Sequence, residues 1–182
     1  MKYHQVLSAV AALLIHWDIQ AQDVYQTKFG TLLIEIPLSD QILEIHTRSL
    51  KVTLDYETAY FDLELEPAIL HTGIDSLDQK LIRESPRLLK LSGELGIEEI
   101  NTKVHPIQHF EFTGNLDDGS EVLSIVGIGH LEHVIGGEEF ACLLGLQFEL
   151  EPRSILDGQL AQQVAGDIKV QLIQTVLQKV DL

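Results

Sequence analysis

The chain has 182 residues and a formal net charge of −16, with 12 Lys and Arg residues against 28 Asp and Glu residues. This length is sufficient for one domain with its own hydrophobic core. The acidic charge excludes a nucleic-acid-binding surface, which needs basic side chains to displace counterions, and simple electrostatic docking on anionic lipids. Any contact with a lipid would therefore take place in a pocket and not on the surface.

The N-terminus has the pattern of an export signal. Lys2 supplies a positive charge, the ten residues Val6–Ile15 form an apolar core, and Ala21 is a small residue before a cleavage site. The apolar run is too short to cross a bilayer, which takes about 20 residues. We expect residues 1–21 to be a signal peptide and residues 22–182 to form a single domain. A buried or amphipathic N-terminal helix is the alternative.

Apolar and polar residues alternate through much of the remaining chain, as they do in β-strands with one buried face. The clearest run is Phe140–Leu150, in which every even-numbered residue is apolar. Shorter runs predict an opening strand that ends near Pro37, a hairpin turn at Glu57–Thr58, and a closing strand with Val170 and Leu172. Many short strands joined by tight turns predict a β-sandwich or a β-barrel, and composition does not choose between them.

Turn and helix signals separate these runs. The segments Leu116–Ser120 and Ile135–Glu138 contain Asp-Gly and Gly-Gly, which allow the positive φ angles of tight hairpins. Ser76 followed by Gln79 resembles a capping box at the start of a helix, and a second short helix is predicted from Leu156 to Val164.

Cys142 is the only cysteine, so the chain forms no internal disulfide. Its position among apolar residues of the same parity predicts a buried thiol that is not a nucleophile. The sequence has no nucleophile elbow, no zinc-protease motif and no phosphate-binding loop. We therefore expect a protein that is not an enzyme and has no catalytic residues.

Six histidines follow the predicted signal peptide: His46, His71, His105, His109, His130 and His133. A transition metal needs three or four converging donors, and nothing in the sequence fixes such a group, although two adjacent strands could bring His109 and His130 together. We expect the histidines to lie at exposed positions and in loops, with no metal site and no cofactor. A metal-binding role for these histidines is an alternative.

Three short motifs follow one another in the middle of the chain. They are Ala68–Gly73 before a helical segment, His105–Phe112, and Leu123–Ile128 followed by Phe140–Leu150. In this order they resemble the YceI-like family of secreted lipid and isoprenoid carriers. Members of that family have a Ser-Ile-x-Thr-Gly-like turn, an Arg-Asp-x-x-Leu helix, a Tyr-Pro-x-x-x-Phe strand and a Leu-Thr-Ile-x-Gly-Val hairpin strand. The resemblance spans residues 29–150.

The resemblance implies an all-β fold, an eight-stranded antiparallel lipocalin-like barrel with one or two short helices around an apolar channel. It implies a periplasmic or secreted protein that binds an isoprenoid or acyl lipid without stable membrane insertion. A ligand-free interaction module with a solid core is an alternative. On the family pattern His109 faces outward. The ligand-binding residues that the resemblance implies are Phe110, Phe112, Leu123, Ile125, Leu144 and Phe148.

Four features depart from the family pattern. Leu77 precedes Asp78 in place of Arg, Ala68 replaces the Ser of the turn, and His105 replaces an aromatic residue. The corner at residues 127–131 lacks the family's Lys and Pro. The predicted fold does not depend on these positions, whereas the identity of the ligand does.

Overall fold

The structure is a computed structural model that describes residues 24–84, 88–97, 106–134, 141–155 and 161–180. The described residues form nine β-strands, and all pairings between them are antiparallel. In chain order the strands are β1 (Val24–Pro37), β2 (Ile42–Thr47), β3 (Lys51–Asp55), β4 (Tyr60–Leu65), β5 (Leu89–Leu95), β6 (Gln108–Asp117), β7 (Val122–Val134), β8 (Ala141–Leu150) and β9 (Ile168–Lys179).

The nine strands form one sheet that closes on itself. Neighbours follow chain order from β3 to β9, and β1 pairs with both β3 and β9. β2 and β3 pair with the same edge of β1. Ile36 lies opposite Leu43 of β2, and Tyr25, eleven residues earlier in β1, lies opposite Leu54 of β3, eleven residues later than Leu43. The two strands therefore continue one register along β1. They therefore act as one interrupted strand. The closed ring has eight strand positions, which confirms the predicted eight-stranded antiparallel barrel.

The predicted turns are confirmed where the structure describes them. β3 and β4 flank the turn at Glu57–Thr58, and β6 and β7 flank the Asp-Gly turn. Gly119 in that turn has a φ angle of +86°, which a residue with a side chain rarely adopts. The predicted Gly-Gly turn at residues 135–138 lies outside the described residues.

Helices are few and short. A 3₁₀ helix (Pro67–Ile69) and helix α1 (Asp75–Glu84) connect β4 to β5, and helix α2 (Pro152–Ile155) follows β8. None of the helices in the described ranges is long and apolar enough to cross a membrane. Most of the second helix predicted from Leu156 lies outside those ranges.

The capping box predicted for helix α1 is wrong. The helix begins at Asp75, so Ser76 lies inside its first turn. Thr72, three residues before the helix, makes the polar contacts at this end, and its hydroxyl oxygen accepts the N–H of Ile74 at 3.1 Å. The carboxylate of Asp78 accepts the N–H of Thr72 at 2.8 Å and thereby ties the helix to the preceding turn.

Side-chain alternation fills the barrel with apolar residues. In β8 the even-numbered residues from Cys142 to Leu150 are buried, as the sequence pattern predicts, and Gln147 and Glu149 are exposed. Burying one Leu or Phe side chain contributes about 1.5–3 kcal/mol. Since Cys142 is a free thiol, packing of this kind and the closed hydrogen-bond ladder hold the barrel together.

Two phenylalanines of β6 pack against glycines of β7. Phe110 lies opposite Gly129, and Phe112 lies opposite Gly127. A Cβ atom on Gly127 would lie 2.5 Å from Cε1 of Phe112 and 2.4 Å from the carbonyl oxygen of Gln147. A Cβ atom on Gly129 would lie 2.5 Å from Cε2 of Phe110. Both rings therefore occupy space that exists because the residue opposite has no side chain.

Gly127→Ala should lower the free energy of unfolding by about 2–3 kcal/mol, because overpacking a core costs about 1–3 kcal/mol and the carbonyl oxygen of Gln147 belongs to the rigid sheet. Urea denaturation measures this change. Val126→Ala, on the exposed outer face of the same strand, is the control and should change the stability by about 0.5 kcal/mol or less. Equal stability of the two variants would contradict this packing.

Candidate ligand-binding site

An apolar cavity of about 70 Å³ lies inside the barrel. Its wall is contributed by six strands and contains no polar side chain. Apart from one phenylalanine ring the lining is aliphatic. The lining residues are Leu32, Ile34, Leu63, Leu65, Leu89, Leu91, Leu116, Leu146, Phe148, Leu150, Val170 and Leu172.

The Phe148 ring in the cavity wall belongs to a cluster of three phenylalanine rings. The ring centroid of Phe112 lies 5.6 Å from that of Phe61 and 6.1 Å from that of Phe148, and both contacts are edge-to-face. Such pairs add about 0.5–1.5 kcal/mol beyond the burial of their surface. Phe148 belongs both to the cavity wall and to this cluster, so the cluster supports the wall from behind Phe148.

A buried polar cluster lies at the other end of the barrel. A hydrogen bond of 3.0 Å joins Oη of Tyr56 to Nε2 of His133, and the ring of Tyr25 stacks 4.2 Å from that of Tyr56. Cys142 lies opposite His133. Because Cys142 and Phe148 are six residues apart on β8, this cluster lies roughly 20 Å along the strand from Phe148 in the cavity wall.

Burial suppresses ionisation in this cluster. It raises the pKa of the Cys142 thiol from 9.0 to about 12. Burial, with a smaller contribution from Cys142, also raises the pKa of the Tyr56 phenol above its usual value of 10.0. Both groups keep their protons at neutral pH, and Cys142 has none of the thiolate character that a nucleophile requires.

The six predicted ligand-binding residues all have inward positions in the barrel wall, but they do not form one pocket. Phe148 lines the cavity, and the Phe112 ring packs against the Phe148 ring. The other four pack in the core outside the described cavity wall, with Leu123 partly buried and the rest buried: Phe110, Leu123, Ile125 and Leu144.

Sequence reasoning missed the leucines that β4 and β5 contribute to the cavity. Leu63 and Leu65 lie opposite Leu91 and Leu89, and all four line the cavity. The period-two pattern of β4 signalled a buried face. It could not signal a cavity, because a cavity depends on which strands meet around the barrel.

The described histidines lie either on the outer wall and connections of the barrel or inside it. His46, His71 and His109 are exposed, as expected, and His130 is half-buried on the outer wall. The expectation of exposure is wrong for His133, which bonds to Tyr56 inside the barrel. His105 lies outside the described residues. Among the residues that the structure describes, no three His, Cys, Asp or Glu side chains converge on a point.

A depression of about 380 Å³ lies on the outer wall of the barrel over β8. It is lined by His109 and His130 on one side and by Ile173 on the other, with Gly145 between them. A Cβ atom on Gly145 would lie 2.2 Å from Cε1 of His130. The depression and the position of the His130 ring therefore both depend on the missing side chain of Gly145.

Two solved structures share the architecture of this barrel. One is a polyisoprenoid binding domain from Saccharophagus degradans implicated in plant cell wall breakdown, with a TM-score of 0.65 and 8% identity over 88% of this chain and 99% of that one. The chain has the YceI-like fold. The other structure is BcnA from Burkholderia cenocepacia, with a TM-score of 0.55 and 9% identity over 84% of this chain and 97% of that one.

The YceI-like fold confirms what the resemblance of the three motifs implied about the architecture. No family model matches the sequence, and no curated protein matches it either.

The buried thiol predicts a loss of stability at alkaline pH. Cys142 holds its proton more tightly in the folded chain than in the unfolded chain, so its contribution is complete below about pH 9 and is lost as the pH rises towards 12. Tyr56 adds a loss of the same sign above pH 10.

The free energy of unfolding, measured by urea denaturation from pH 8 to pH 11, should therefore fall more steeply in the natural protein than in Cys142→Ala. The difference in slope should approach about 1.4 kcal/mol per pH unit. The packing lost in Cys142→Ala shifts the whole curve and leaves its slope unaffected. Identical slopes would show that the thiol is not buried in this way.

Proposed function

We propose that the barrel is a carrier, and not an enzyme, that binds one long apolar molecule in its interior, an isoprenoid or acyl lipid. The observation that carries this proposal is the wholly apolar cavity at one end of a closed barrel. The likeness in fold to a polyisoprenoid binding domain supports it. Such a site binds without strong polar contacts, since each buried methylene contributes about 0.8 kcal/mol.

The ligand has to widen the cavity. The volume of the cavity is about 70 Å³, whereas an apolar cavity that binds benzene has a volume of about 150 Å³. Leucine side chains can change rotamer, and the half-buried Ile34, Leu89 and Leu116 mark the end that is free to open. The widened channel then reaches the residues implied by the family resemblance: Phe110, Phe112, Leu123, Ile125, Leu144 and Phe148.

The interior favours a ligand whose buried part is uncharged. The buried polar residues in the described part of the chain are Thr47, Thr72, His133 and Thr175, and none of them is a Lys or Arg. A phosphate or carboxylate group inside the barrel would lack a counter-charge, at a cost of several kcal/mol. The head group is therefore neutral, or it stays in water at the open end.

The connection between β4 and β5 starts and ends at the cavity. It leaves β4 at Leu65 and reaches β5 at Leu89, and both residues line the cavity wall. Leu70 in this connection is buried in the core. Two backbone hydrogen bonds of 3.2 and 3.3 Å join His71 to His46 in β2. Ligand entry at this end of the barrel would displace the connection and break these two hydrogen bonds to β2.

Export is part of the proposal. Lys2 and the apolar core Val6–Ile15 support a signal peptide over residues 1–21, and residues 22–182 form one domain in the periplasm or outside the cell. β1 begins at Val24, so cleavage after Ala21 leaves the barrel complete.

Leu116→Trp should reduce the lipid that co-purifies with the protein at least tenfold, because the indole fills the open end of the cavity at a half-buried position that tolerates a larger residue. Organic extraction followed by mass spectrometry gives the moles of lipid per mole of protein. Val126→Trp introduces the same side chain on the exposed outer wall and should keep the lipid. Unchanged lipid in a folded Leu116→Trp variant would refute this cavity as the site.

Mass spectrometry of the protein from its native source should show loss of residues 1–21. Leu13→Arg, which places a charge in the apolar core of the signal, should block processing and leave the full-length chain in the cytoplasm. An intact Met1 on the natural protein in the periplasm or the medium would contradict a cleaved signal.

A further inference from the structure

Two imidazoles meet on the outer wall of the barrel. His109 of β6 lies directly opposite His130 of β7, and the ring centroids are 6.3 Å apart with an angle of 50° between the planes. We propose that this pair binds one divalent transition-metal ion, with Cu²⁺ preferred over Ni²⁺ and Zn²⁺. The site is separate from the proposed lipid cavity, because side chains next to each other on a strand point to opposite faces and Phe110 points inward.

The spacing of the rings suits a shared ion. A metal lies about 2.0–2.1 Å from an imidazole nitrogen, which places it about 3.2 Å from the ring centroid. Two rings on opposite sides of one ion therefore have centroids at most about 6.4 Å apart, and at a tetrahedral angle about 5 Å apart. The observed 6.3 Å lies within this limit. His109 is exposed, so its ring can rotate to bring the rings closer.

The surroundings leave room for an ion and its water ligands. The two rings border the outer depression of about 380 Å³, and Gly145 contributes no side chain to it. Glu111 and Glu132 lie two residues along β6 and β7 on the same outer face. Their carboxylates and the net charge of −16 raise the local concentration of cations.

The number of protein ligands selects the metal. No third His, Cys, Asp or Glu joins the pair within the described residues, so water completes the coordination. A structural zinc site uses four protein ligands in a tetrahedron. Cu²⁺ accepts a tetragonal set of nitrogen and oxygen donors, and it binds most tightly among the divalent first-row ions. The pair therefore provides an open copper site and not a closed zinc site.

Calorimetric titration of the full chain with CuCl₂ should give one ion per chain, with weaker binding of NiCl₂ and ZnCl₂. His109→Ala and His130→Ala should each weaken Cu²⁺ binding at least tenfold, because either change leaves a single imidazole. His71→Ala, at another exposed histidine, is the matched control and should have no effect. Retention of the circular dichroism spectrum shows that each variant is folded.

A second measurement tests the site without a variant. Paramagnetic Cu²⁺ at substoichiometric amounts should first broaden the imidazole proton resonances of His109 and His130 in the natural protein.

Copper affinity that is unchanged in the His109→Ala/His130→Ala double variant would overturn the proposal. Broadening that begins at His46 or His71 would also overturn it. Neither result bears on lipid binding, which the Leu116→Trp variant tests on its own.

Discussion

Closure of the sheet through β1 is the constraint on which the rest of the structure depends. β1 pairs with β9 along much of its length and with β2 and β3 on its other edge. Among the described strands every member of the ring except β2 pairs on both edges, and the outer edge of β2 has only the bridge between His46 and His71. Inward side chains have only one another or a ligand as neighbours. The volume inside the ring is therefore decided residue by residue, by the sizes of the side chains that point inward.

The side chains at the two ends of the interior differ in how firmly they are held. At one end the rings of Tyr25 and Tyr56 contact each other, and a hydrogen bond between Tyr56 and His133 fixes two side chains in place. At the other end aliphatic side chains surround a void, and Ile34, Leu89 and Leu116 among them are only half-buried. Aliphatic side chains change rotamer without breaking a hydrogen bond, so the leucine end is the part of the barrel that can adapt to a ligand.

Much of the fold could be predicted from the sequence because alternation is a local property. The strict parity of residues 140–150 indicated β8 and its buried face, and the Asp-Gly turn indicated the β6–β7 hairpin. The contact of Tyr56 with His133 could not be predicted, since it joins residues 77 positions apart. The packing of Phe112 over Gly127 and the pairing of His109 with His130 also depend on a register between strands, which no local pattern specifies.

The most direct test of the account is to locate a bound apolar chain inside the barrel. Nuclear magnetic resonance with labelled leucine methyl groups, in the presence of a long-chain prenyl alcohol, reports which side chains contact the ligand. The account predicts intermolecular contacts to Leu63, Leu65 and Leu91 at the cavity, and none to Leu177, which lies beside Cys142 at the polar end. Contacts confined to the outer wall, or a spectrum that the alcohol leaves unchanged, would contradict it.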